Sequence, residues 1–482
     1  MKHLPYVSIV IPNYNGAHYL PACLEALRAQ TYPADRFEVI VSDNGSTDAS
    51  IELLRTQYPW VKVIENGRNL GFAKASNVGI MASQGDYVAL LNNDTQADPK
   101  WLLSLVEVAE NDVRIGACTS KVLLLYDRLT LNMEIFPDSS LCESRTPLNS
   151  LLIRSLEVRI IDKDGEKPVE FLKRFYGGQL ARGEKHHQFT GKFVLGLPVA
   201  YKDDMCLELR LLTLSPNCPV RVILYHDNDV LTECVLESGT KHVLKIPKEL
   251  LQKATPVIQN AGSMVSLDGS GWDRGAIVEG AFHYYETDQG QYNQVEEVFA
   301  ACGAACLYRR AMLEDVGLLD ERFFLYYEDT DLSWRARLRG WKIVYVPQAV
   351  VRHVHCGTSG EWSPLFTFHV KKNRLAMVIK NGSWKQVLFA WMGYIYDFIW
   401  IAGSWLRSLK SNPSQSREIA RQLWITLKSG LWVIAFLPQL LLDRIVIQRR
   451  RCVSQDEIER MMAPAPPGKP APWLRIWRFL LL

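Results

Sequence analysis

Oxygen-bearing side chains follow three separate apolar runs of this sequence, and they are the residues best suited to chemistry. They occupy residues 13–15 (Asn-Tyr-Asn), 43–48 (beginning Asp-Asn-Gly-Ser) and 92–94 (Asn-Asn-Asp). Amide and carboxylate oxygens suit Mg²⁺ or Mn²⁺, which proteins commonly hold with one or two carboxylates plus substrate phosphates. Any one of these loops is also typical of a polar turn. The three together favour a binding site, because ligands of open α/β sheets bind beyond the carboxyl ends of the strands.

A cluster of carboxylates follows the aromatic block at residues 323–327. Glu328, Asp329 and Asp331 place three acids within four positions. Acids are common in the first turn of a helix and Thr330 can cap one, so a helix start is one interpretation. The other is a general base, because desolvation beside aromatic rings raises a carboxylate pKa toward the range useful for accepting a proton.

Histidine and cysteine supply the other candidate metal ligands. His353 and His355 follow an apolar run, but a single histidine is more often structural than a ligand. The ten cysteines form no CxxC pair and no zinc spacing. They favour buried thiols in a reducing, cytosolic compartment.

The elements that would position these residues alternate between strand and helix over the first 126 residues. Runs rich in β-branched and apolar residues at 7–12, 37–42, 60–64 and 86–91 predict strands, and helical spacing of apolar residues lies between them. This alternation favours an α/β fold with a parallel sheet covered on both faces. The sequence has no GxGxxG and no GxxxxGK[ST] motif, which argues against a dinucleotide or P-loop site.

The alternation disappears between about residues 129 and 255. Short alternating apolar runs are separated there by turn signals such as Asp164-Gly165 and Ser238-Gly239. They predict an inserted all-β sandwich, jelly-roll-like, whose role as a carbohydrate-binding module or a scaffold stays open. We therefore divide the chain at residues 1–127, 128–255, 256–375 and 376–482.

Two long apolar stretches, 384–406 and 423–442, dominate the C-terminal segment. Each is long enough to span a bilayer. A narrow polar stripe, Trp-rich faces and basic flanks instead favour amphipathic helices lying in the membrane interface. A hairpin of two transmembrane helices is the alternative.

Charge is distributed unevenly along the chain. The 482 residues carry a formal charge of only +3, yet residues 366–482 contain 18 Lys and Arg against 6 Asp and Glu. A basic, apolar tail behind an acidic remainder suggests an anionic membrane surface, with no nucleic-acid partner. The N-terminus enters a strand directly and shows no signal-peptide core.

The motifs, taken in order, resemble the inverting glycosyltransferase family 2, and within it the bacterial rhamnosyltransferase-like branch. The resemblance covers roughly residues 5–127 and 256–375. The motifs that carry it are VSIVIPNYNG (7–16), VIVSDNGSTDAS (39–50), NLGFAKASNVGI (69–80), DYVALLNNDT (86–95), CGAACLYRRAM (302–312), GLLDERFFLYYEDTDLSWR (317–335) and VVRHVHCGTSG (350–360).

This resemblance implies a GT-A fold and a role for each matching residue. Residues 1–127 would be the nucleotide-sugar-binding half, 256–375 the half carrying the acceptor site and the base, and 376–482 a membrane-associating tail. Asp329 would be the catalytic base, with Glu328 beside it. Asp94 and His353 would hold Mg²⁺ or Mn²⁺. The residues expected to line the nucleotide-sugar are Pro12, Asn13, Tyr14, Asn15, Asp43, Gly45, Ser46, Asn69, Gly71, Phe72, Lys74, Asn77, Asn92 and Asn93.

The resemblance further implies transfer of a sugar from a nucleotide-diphosphate donor, dTDP-rhamnose or a UDP-hexose, to a glycan or lipid-linked oligosaccharide at the inner face of the membrane. One alternative is a processive polysaccharide synthase, but the Gln-x-x-Arg-Trp motif of those enzymes is missing around Gln422. The other is a non-catalytic glycan-binding protein, and the intact Asp43, Asp94 and Asp329 argue against it.

Overall fold

The computed structural model describes residues 4–137, 153–162, 165–168, 170–175, 191–199, 205–213, 220–236, 241–279, 282–354, 363–411 and 413–463. His355 therefore lies outside the described residues. Contacts within the chain define two compact units. The first comprises Met1–Leu123, Gln259–Gly275 and Tyr292–Leu482, and the second comprises Leu124–Ile258 and Ala276–Gln291.

A mostly parallel sheet forms the centre of the first unit. Its strands follow the order Lys62–Glu65, Phe37–Asp43, Val7–Asn13, Tyr87–Leu91 and Ala305–Arg309. The first four run parallel, and the fifth is antiparallel to its neighbour. Because the first four strands run the same way, the polar loops that follow them meet at one edge. The predicted α/β class is confirmed.

Helices cover this sheet on both sides, as the alternating pattern predicts. Their bounds are Leu20–Arg28, Ser50–Gln57, Phe72–Met81 and Trp101–Asn111, with a 3₁₀ turn at Ala34–Arg36. The strand Val7–Asn13 is buried along nearly its whole length, which is expected of a strand packed on both faces. Leu20, Leu24 and Leu27 recur at helical spacing and are fully buried against the same core.

A long strand, Lys342–His353, brings distant parts of the first unit together. It pairs antiparallel with Thr95–Ala97, so that His353 lies opposite Thr95. It also pairs with Glu296–Glu297. The remaining short elements of this unit are the hairpin Ser263–Val265 and Gly271–Asp273, the helix Arg310–Val316 and the 3₁₀ turn Glu321–Phe323.

The second unit is built almost entirely from antiparallel strands. One sheet contains the later part of Ile115–Pro137, which pairs with Gly191–Val199 and with Val220–His226. A second sheet has the order Lys241–Ile246, Met205–Thr213, Ile153–Asp162 and Gly165–Pro168. The other elements are Glu170–Phe175, Asp229–Leu236, Thr255–Asn260, Ala276–Glu279, Phe282–Tyr285 and the short helix Lys248–Leu251. The kind of module that this unit represents stays a prediction.

Helices complete the C-terminal part of the first unit. We call Glu328–Leu338 the base helix and Pro364–Asn381 the cradle helix. The later helices are Trp384–Ser411, Pro413–Ala435, Leu437–Arg449 and Gln455–Arg460. Their inner faces join a hydrophobic cluster that also contains Trp334 of the base helix and Leu375 of the cradle helix.

The outer faces of these late helices are strongly apolar. Among the described residues, one helix is long and apolar enough to cross a membrane (Trp384–Leu409), and the bent pair Gln415–Ala435 and Leu437–Arg449 passes the same test when taken together, with an angle of 59°. Their exposed apolar residues are Trp384, Leu388, Ile395, Ile399, Trp400, Leu406, Leu409, Trp424, Leu427, Leu431, Ile434, Leu442, Ile445 and Val446.

Candidate active site

The loops that follow the strands Val7–Asn13 and Phe37–Asp43 are joined by hydrogen bonds between predicted site residues. Asp43 Oδ1 accepts from the backbone amides of Gly45 (3.0 Å) and Ser46 (2.9 Å). Its Oδ2 accepts from the Ser46 hydroxyl (2.6 Å) and from the Asn13 amide (2.9 Å). A carboxylate offers about four lone-pair sites, so Asp43 is saturated by donors from the two loops. Asp43 thereby holds the two loops together, and a nucleobase contact would have to replace one of the four donors.

The neighbouring residues of these two loops differ in solvent exposure. The Asn15 backbone amide donates to the Ser46 hydroxyl (2.8 Å), which fixes the course of the loop. Pro12, the residue before the last one of the strand Val7–Asn13, is partly exposed, whereas Tyr14 is exposed. Gly45 has a left-handed φ of 73°, and a Cβ there would meet the backbone of Arg68 at 2.7 Å. Glycine is required at position 45 because it adopts this φ without strain and has no Cβ to clash with the Arg68 backbone.

Residues 69–71 lead into the helix Phe72–Met81. We call them the donor loop, because they are predicted to line the nucleotide-sugar donor. The Asn69 side chain accepts from the Gly71 amide (2.9 Å), which turns the chain into the helix. Lys74 forms an ion pair with Glu321 (2.8 Å). Asn77 is buried, and it both donates to the Leu319 carbonyl (2.8 Å) and accepts from the Leu319 amide (3.1 Å). Asn77 thus joins the two halves of the first unit.

Asp94 and His353 meet at the end of the strand Tyr87–Leu91. His353 Nε2 lies 3.1 Å from Asp94 Oδ1 and 3.3 Å from the Asn92 side-chain nitrogen. The other ring nitrogen, Nδ1, lies 2.8 Å from Gln259 Oε1. With Gln259 accepting the Nδ1 proton, the lone pair of Nε2 points toward Asp94. The antiparallel pairing of the strand Lys342–His353 with Thr95–Ala97 brings these residues together.

The polar atoms at this point fit a divalent cation. Asp94 Oδ1 and Asn92 Oδ1 are buried and have no hydrogen-bond partner in the described part of the chain. An unpaired buried acceptor is costly, and two of them beside an imidazole lone pair form a set that a hard cation satisfies. No group of three or more His, Cys, Asp or Glu side chains that could hold a metal occurs among the described residues.

Asn93 connects the metal edge to the first loop. Its amide donates to Asn13 Oδ1 at 2.7 Å, and both side chains pack over Gly16. A Cβ at Gly16 would lie 2.1 Å from the Asn93 side chain, so a larger residue would separate the two loops. The first and third polar loops therefore form one surface, as the sequence predicts.

Asp329 lies in the first turn of the base helix and is held by three donors. Its Oδ2 accepts from the Gly303 amide (2.8 Å), and its Oδ1 accepts from the Thr330 amide (2.6 Å) and hydroxyl (3.0 Å). Burial raises the Asp329 pKa above its ordinary value, although these donors oppose the shift. A held carboxylate with a raised pKa has the properties of a general base.

Two backbone hydrogen bonds connect Asn92 to Asp329. The Asn92 backbone amide donates to the Ala304 carbonyl (2.9 Å), and the backbone amide of the preceding residue, Gly303, donates to the Asp329 carboxylate. The antiparallel strand Ala305–Arg309 fixes this arrangement by pairing Ala305 with Leu91. The structure therefore brings the predicted metal residues and the predicted base to the same edge of the sheet.

Glu328 is the more buried member of the acidic pair. Burial raises its pKa well above the ordinary value, and the neighbouring Asp329 carboxylate adds to the shift. Its Oε2 is buried with no hydrogen-bond partner in the described part of the chain. These conditions favour the neutral acid, so Glu328 is poorly suited to accept a proton from a substrate.

Three contributors to the site were missed by sequence reasoning. Gln259 orients His353, the Gly303 amide holds Asp329, and the Thr330 amide and hydroxyl bind the Asp329 carboxylate. The CGAA segment around Gly303 lies within a recognised motif, which was the available signal. Gln259 offered none, since it is an isolated glutamine.

Two sequence-family models match this chain. The model described as glycosyl transferase family 2 matches residues 8–134, and the model described as glycosyltransferase like family 2 matches residues 217–374. Together these segments contain every predicted site residue. The first carries the three polar loops, and the second carries the base helix and His353.

Individual relatives resemble a part of the chain. Glycosyltransferase AglE of Haloferax volcanii is 39% identical over 102 residues, which make up 20% of this chain and 34% of the relative. The undecaprenyl-phosphate 4-deoxy-4-formamido-L-arabinose transferase of Pseudomonas syringae is 41% identical over 118 residues, or 23% of this chain and 35% of the relative. The chain thus spans about a third of the length of these relatives.

Solved structures resemble the chain along most of its length, but loosely. The mannosyltransferase PcManGT of Pyrobaculum calidifontis, solved with GDP-Man and Mn²⁺, is 12% identical with a TM-score of 0.39, covering 93% of this chain and 88% of that one. A likeness at this score supports no argument about ligands or mechanism.

Proposed function

Because this chain carries glycosyltransferase family 2 domains with a GT-A-like sheet, we propose that it is an inverting glycosyltransferase. The proposed donor is a nucleotide-diphosphate sugar, dTDP-rhamnose or a UDP-hexose. The proposed acceptor is a glycan or lipid-linked oligosaccharide of cell-surface polysaccharide synthesis. One observation carries the proposal: Asp94, with a buried oxygen that lacks a donor, and Asp329, with a raised pKa, lie at the same edge of the sheet.

Asp94 and His353 are the residues that would hold Mg²⁺ or Mn²⁺. When bound, such an ion offsets the negative charge that grows on a departing nucleoside diphosphate. Asn92 lies within reach of the same point, and Gln259 keeps the His353 ring in the required orientation. The polar loops around Asn13 would form the wall against the nucleotide.

Asp329 would take the proton of the acceptor hydroxyl as that oxygen attacks the anomeric carbon. The bond from the anomeric carbon to the diphosphate oxygen breaks as the new glycosidic bond forms on the opposite face, so the configuration inverts. This route needs one carboxylate as base and no carboxylate nucleophile. The three donors to Asp329 hold its orientation, while burial keeps it basic.

The name of one relative supports the acceptor class. The Pseudomonas syringae protein is an undecaprenyl-phosphate sugar transferase, which is consistent with a lipid-linked acceptor here. A processive synthase and a non-catalytic glycan-binding protein are the rival functions. The intact arrangement around Asp94 and Asp329 favours catalysis over glycan binding alone, and the absence of a Gln-x-x-Arg-Trp motif around Gln422 disfavours a processive synthase.

We further propose that the protein is peripheral on the cytoplasmic side of the cell membrane. The late helices expose apolar residues outward while their inner faces lie in the core of the first unit. Arg407, Arg421 and Lys428 lie on the same helices and can meet anionic headgroups. A pair of transmembrane helices is the alternative.

The decisive experiment for the function is an activity screen with the full chain. The protein is incubated with UDP-glucose or dTDP-rhamnose, a lipid-linked oligosaccharide extract and Mg²⁺ or Mn²⁺, and the products are identified by mass spectrometry. NMR of the product reports the anomeric configuration. A product that retains the donor configuration would refute the inverting mechanism, and specific binding of glycans without any turnover would favour the binding-protein alternative.

Membrane attachment is tested with anionic vesicles. Interfacial helices should be released by high salt or alkaline carbonate, since each basic residue near the surface contributes about 1 kcal/mol. Release by detergent alone would favour the transmembrane hairpin.

A further inference from the structure

The segment that leads into the base helix has an unusual backbone. Phe324, Tyr326 and Tyr327 have φ values of 66°, 70° and 69°, in the left-handed region that bulky L-residues rarely adopt. Three such residues within four positions require outside restraints, because strained conformations persist only where their surroundings determine them. We call residues 322–327 the aromatic loop.

The aromatic loop contacts both the base helix and the donor loop. Its last residue, Tyr327, is the N-cap of the base helix and lies two positions before Asp329. Its Phe324 carbonyl accepts from the Ala73 amide (3.2 Å), and the Phe324 ring occupies the space above Gly71, where a Cβ would lie 2.4 Å from the ring. The path of this loop therefore sets the base relative to the predicted donor loop.

The Asn373 side chain of the cradle helix forms hydrogen bonds with the backbone of the aromatic loop. Its side chain is completely buried, and its nitrogen lies 3.0, 2.9 and 2.7 Å from the carbonyl oxygens of Phe323, Leu325 and Tyr326. Its Oδ1 accepts from Lys372 Nζ at 2.6 Å. The amide orientation is fixed by chemistry, because the three carbonyl oxygens can only accept hydrogen bonds.

Two neighbours of Asn373 extend this contact along the same stretch of backbone. Lys372 Nζ donates to the Arg322 carbonyl (2.9 Å), and His369 Nδ1 lies 3.0 Å from the Phe323 carbonyl. One face of the cradle helix thus satisfies the carbonyls of a loop that forms few regular backbone hydrogen bonds of its own.

We propose that Asn373 is a positioning residue: by holding three carbonyls of the aromatic loop, it places Asp329 against the acceptor and Phe324 against the donor loop. The proposal rests on the proposed transferase function for its catalytic consequence. The restraint on the loop is a property of the protein itself and can be measured without substrate.

The test compares Asn373→Asp with Ile379→Ala. Asn373→Asp keeps the shape and the contact with Lys372 but replaces both N–H donors by an acceptor facing three carbonyls. Ile379→Ala removes a buried apolar side chain from the same helix, and an apolar side chain makes no hydrogen bond to the carbonyls of the aromatic loop. Hydrogen exchange of the full-length proteins, followed by mass spectrometry, measures the amides of residues 322–331, and thermal melting measures overall stability.

Exchange in this segment should accelerate in Asn373→Asp and stay near the parent rate in Ile379→Ala, even where both variants melt at lower temperature. With UDP-glucose or dTDP-rhamnose as donor, kcat per folded molecule should fall about 10²-fold in Asn373→Asp, since misplacement by about 1 Å costs that much. The donor dissociation constant should change less than kcat. Ile379→Ala should retain kcat.

Unchanged exchange in Asn373→Asp would overturn the loop restraint. Faster exchange with kcat within about threefold of the parent, against the expected 10²-fold loss, would overturn the positioning role and leave a structural one. If the parent turned over neither donor nor any other nucleotide sugar, the transferase function and base positioning would both fail, while exchange would still decide whether Asn373 restrains the loop.

Discussion

Asp94 and Asp329 are both partly or fully buried aspartates at one sheet edge, yet their surroundings differ. Asp94 has an oxygen without a hydrogen-bond donor and an imidazole nitrogen 3.1 Å away. Asp329 accepts from three donors and has a raised pKa. The first arrangement lacks positive charge, and the second tolerates a proton. The two aspartates therefore have different surroundings, which fit the proposed cation binding by Asp94 and the proposed proton transfer by Asp329.

The elements that create this difference also differ. Asp94 follows a buried parallel strand, so its position is set by the sheet and by a local Asn-Asn-Asp sequence. Asp329 is set by a helix start, a strained loop and a distant helix. A local motif is enough to place Asp94, the proposed metal ligand, whereas Asp329, the proposed base, requires long-range packing. Replacing each carboxylate separately is the direct way to test this distinction.

Replacing Asp94 should have the largest effect. Asp94→Ala should reduce transfer below detection and weaken nucleoside-diphosphate binding, because the phosphates lose the cation that offsets their charge. Calorimetry with Mn²⁺ and UDP or dTDP measures the binding, and product formation measures transfer. Asp98→Ala, at an exposed acid outside the site, is the control. Normal activity of Asp94→Ala in EDTA would remove the metal from the proposal.

Replacing Asp329 should separate turnover from donor binding. Asp329→Asn keeps the shape and removes the base, so kcat should fall by a factor on the order of 10² to 10⁴. Donor affinity by calorimetry should barely change, because the base faces the acceptor. Glu328→Gln should be milder, since Glu328 is already favoured in its neutral form. An inactive Glu328→Gln beside a normal Asp329→Asn would assign the base to the other member of the pair.

Replacing Gln259 should weaken the proposed metal site. Gln259→Leu removes the acceptor of the His353 Nδ1 proton, so Mn²⁺ affinity should fall about 10- to 100-fold, as is typical when the partner of a ligating histidine is lost. Gln259→Glu supplies another acceptor and should restore most of the affinity. Electron paramagnetic resonance of Mn²⁺ measures both. Equal affinity in Gln259→Leu and the parent would show that the ring needs no such support.

The smallest effect is on stability as a function of pH. Asp329 and Glu328 have folded-state pKa values raised above their ordinary 3.8 and 4.5, so the folded state binds more protons than the unfolded state above those values. The free energy of unfolding should therefore fall as the pH rises from the ordinary values through the raised ones. Urea titrations should show a flatter dependence in Asp329→Asn. A steeper dependence would contradict the burial of this charge.

The sequence predicted the sheet well because its strands are local apolar runs. Residues 7–12 and 86–91 announce strands by composition alone, and the polar residues after them mark the functional edge. The base was predicted from the order of motifs rather than from geometry. Gln259 and Asn373 could not be predicted, since each acts through a contact with residues about 94 and 50 positions away. Thr330 was one candidate for the cap of the base helix, but Tyr327, in the left-handed conformation, occupies that position.

The packing of the late helices decides where this chain can be shortened for protein production. Ala390, Tyr394, Val433 and Leu440 are buried in the cluster that contains Trp334. A fragment ending before Trp384 would leave that cluster open to water and would be prone to aggregate. A water-soluble form is better sought by exchanging outward residues, such as those from the exposed set on these helices, for polar ones while the inner face is kept.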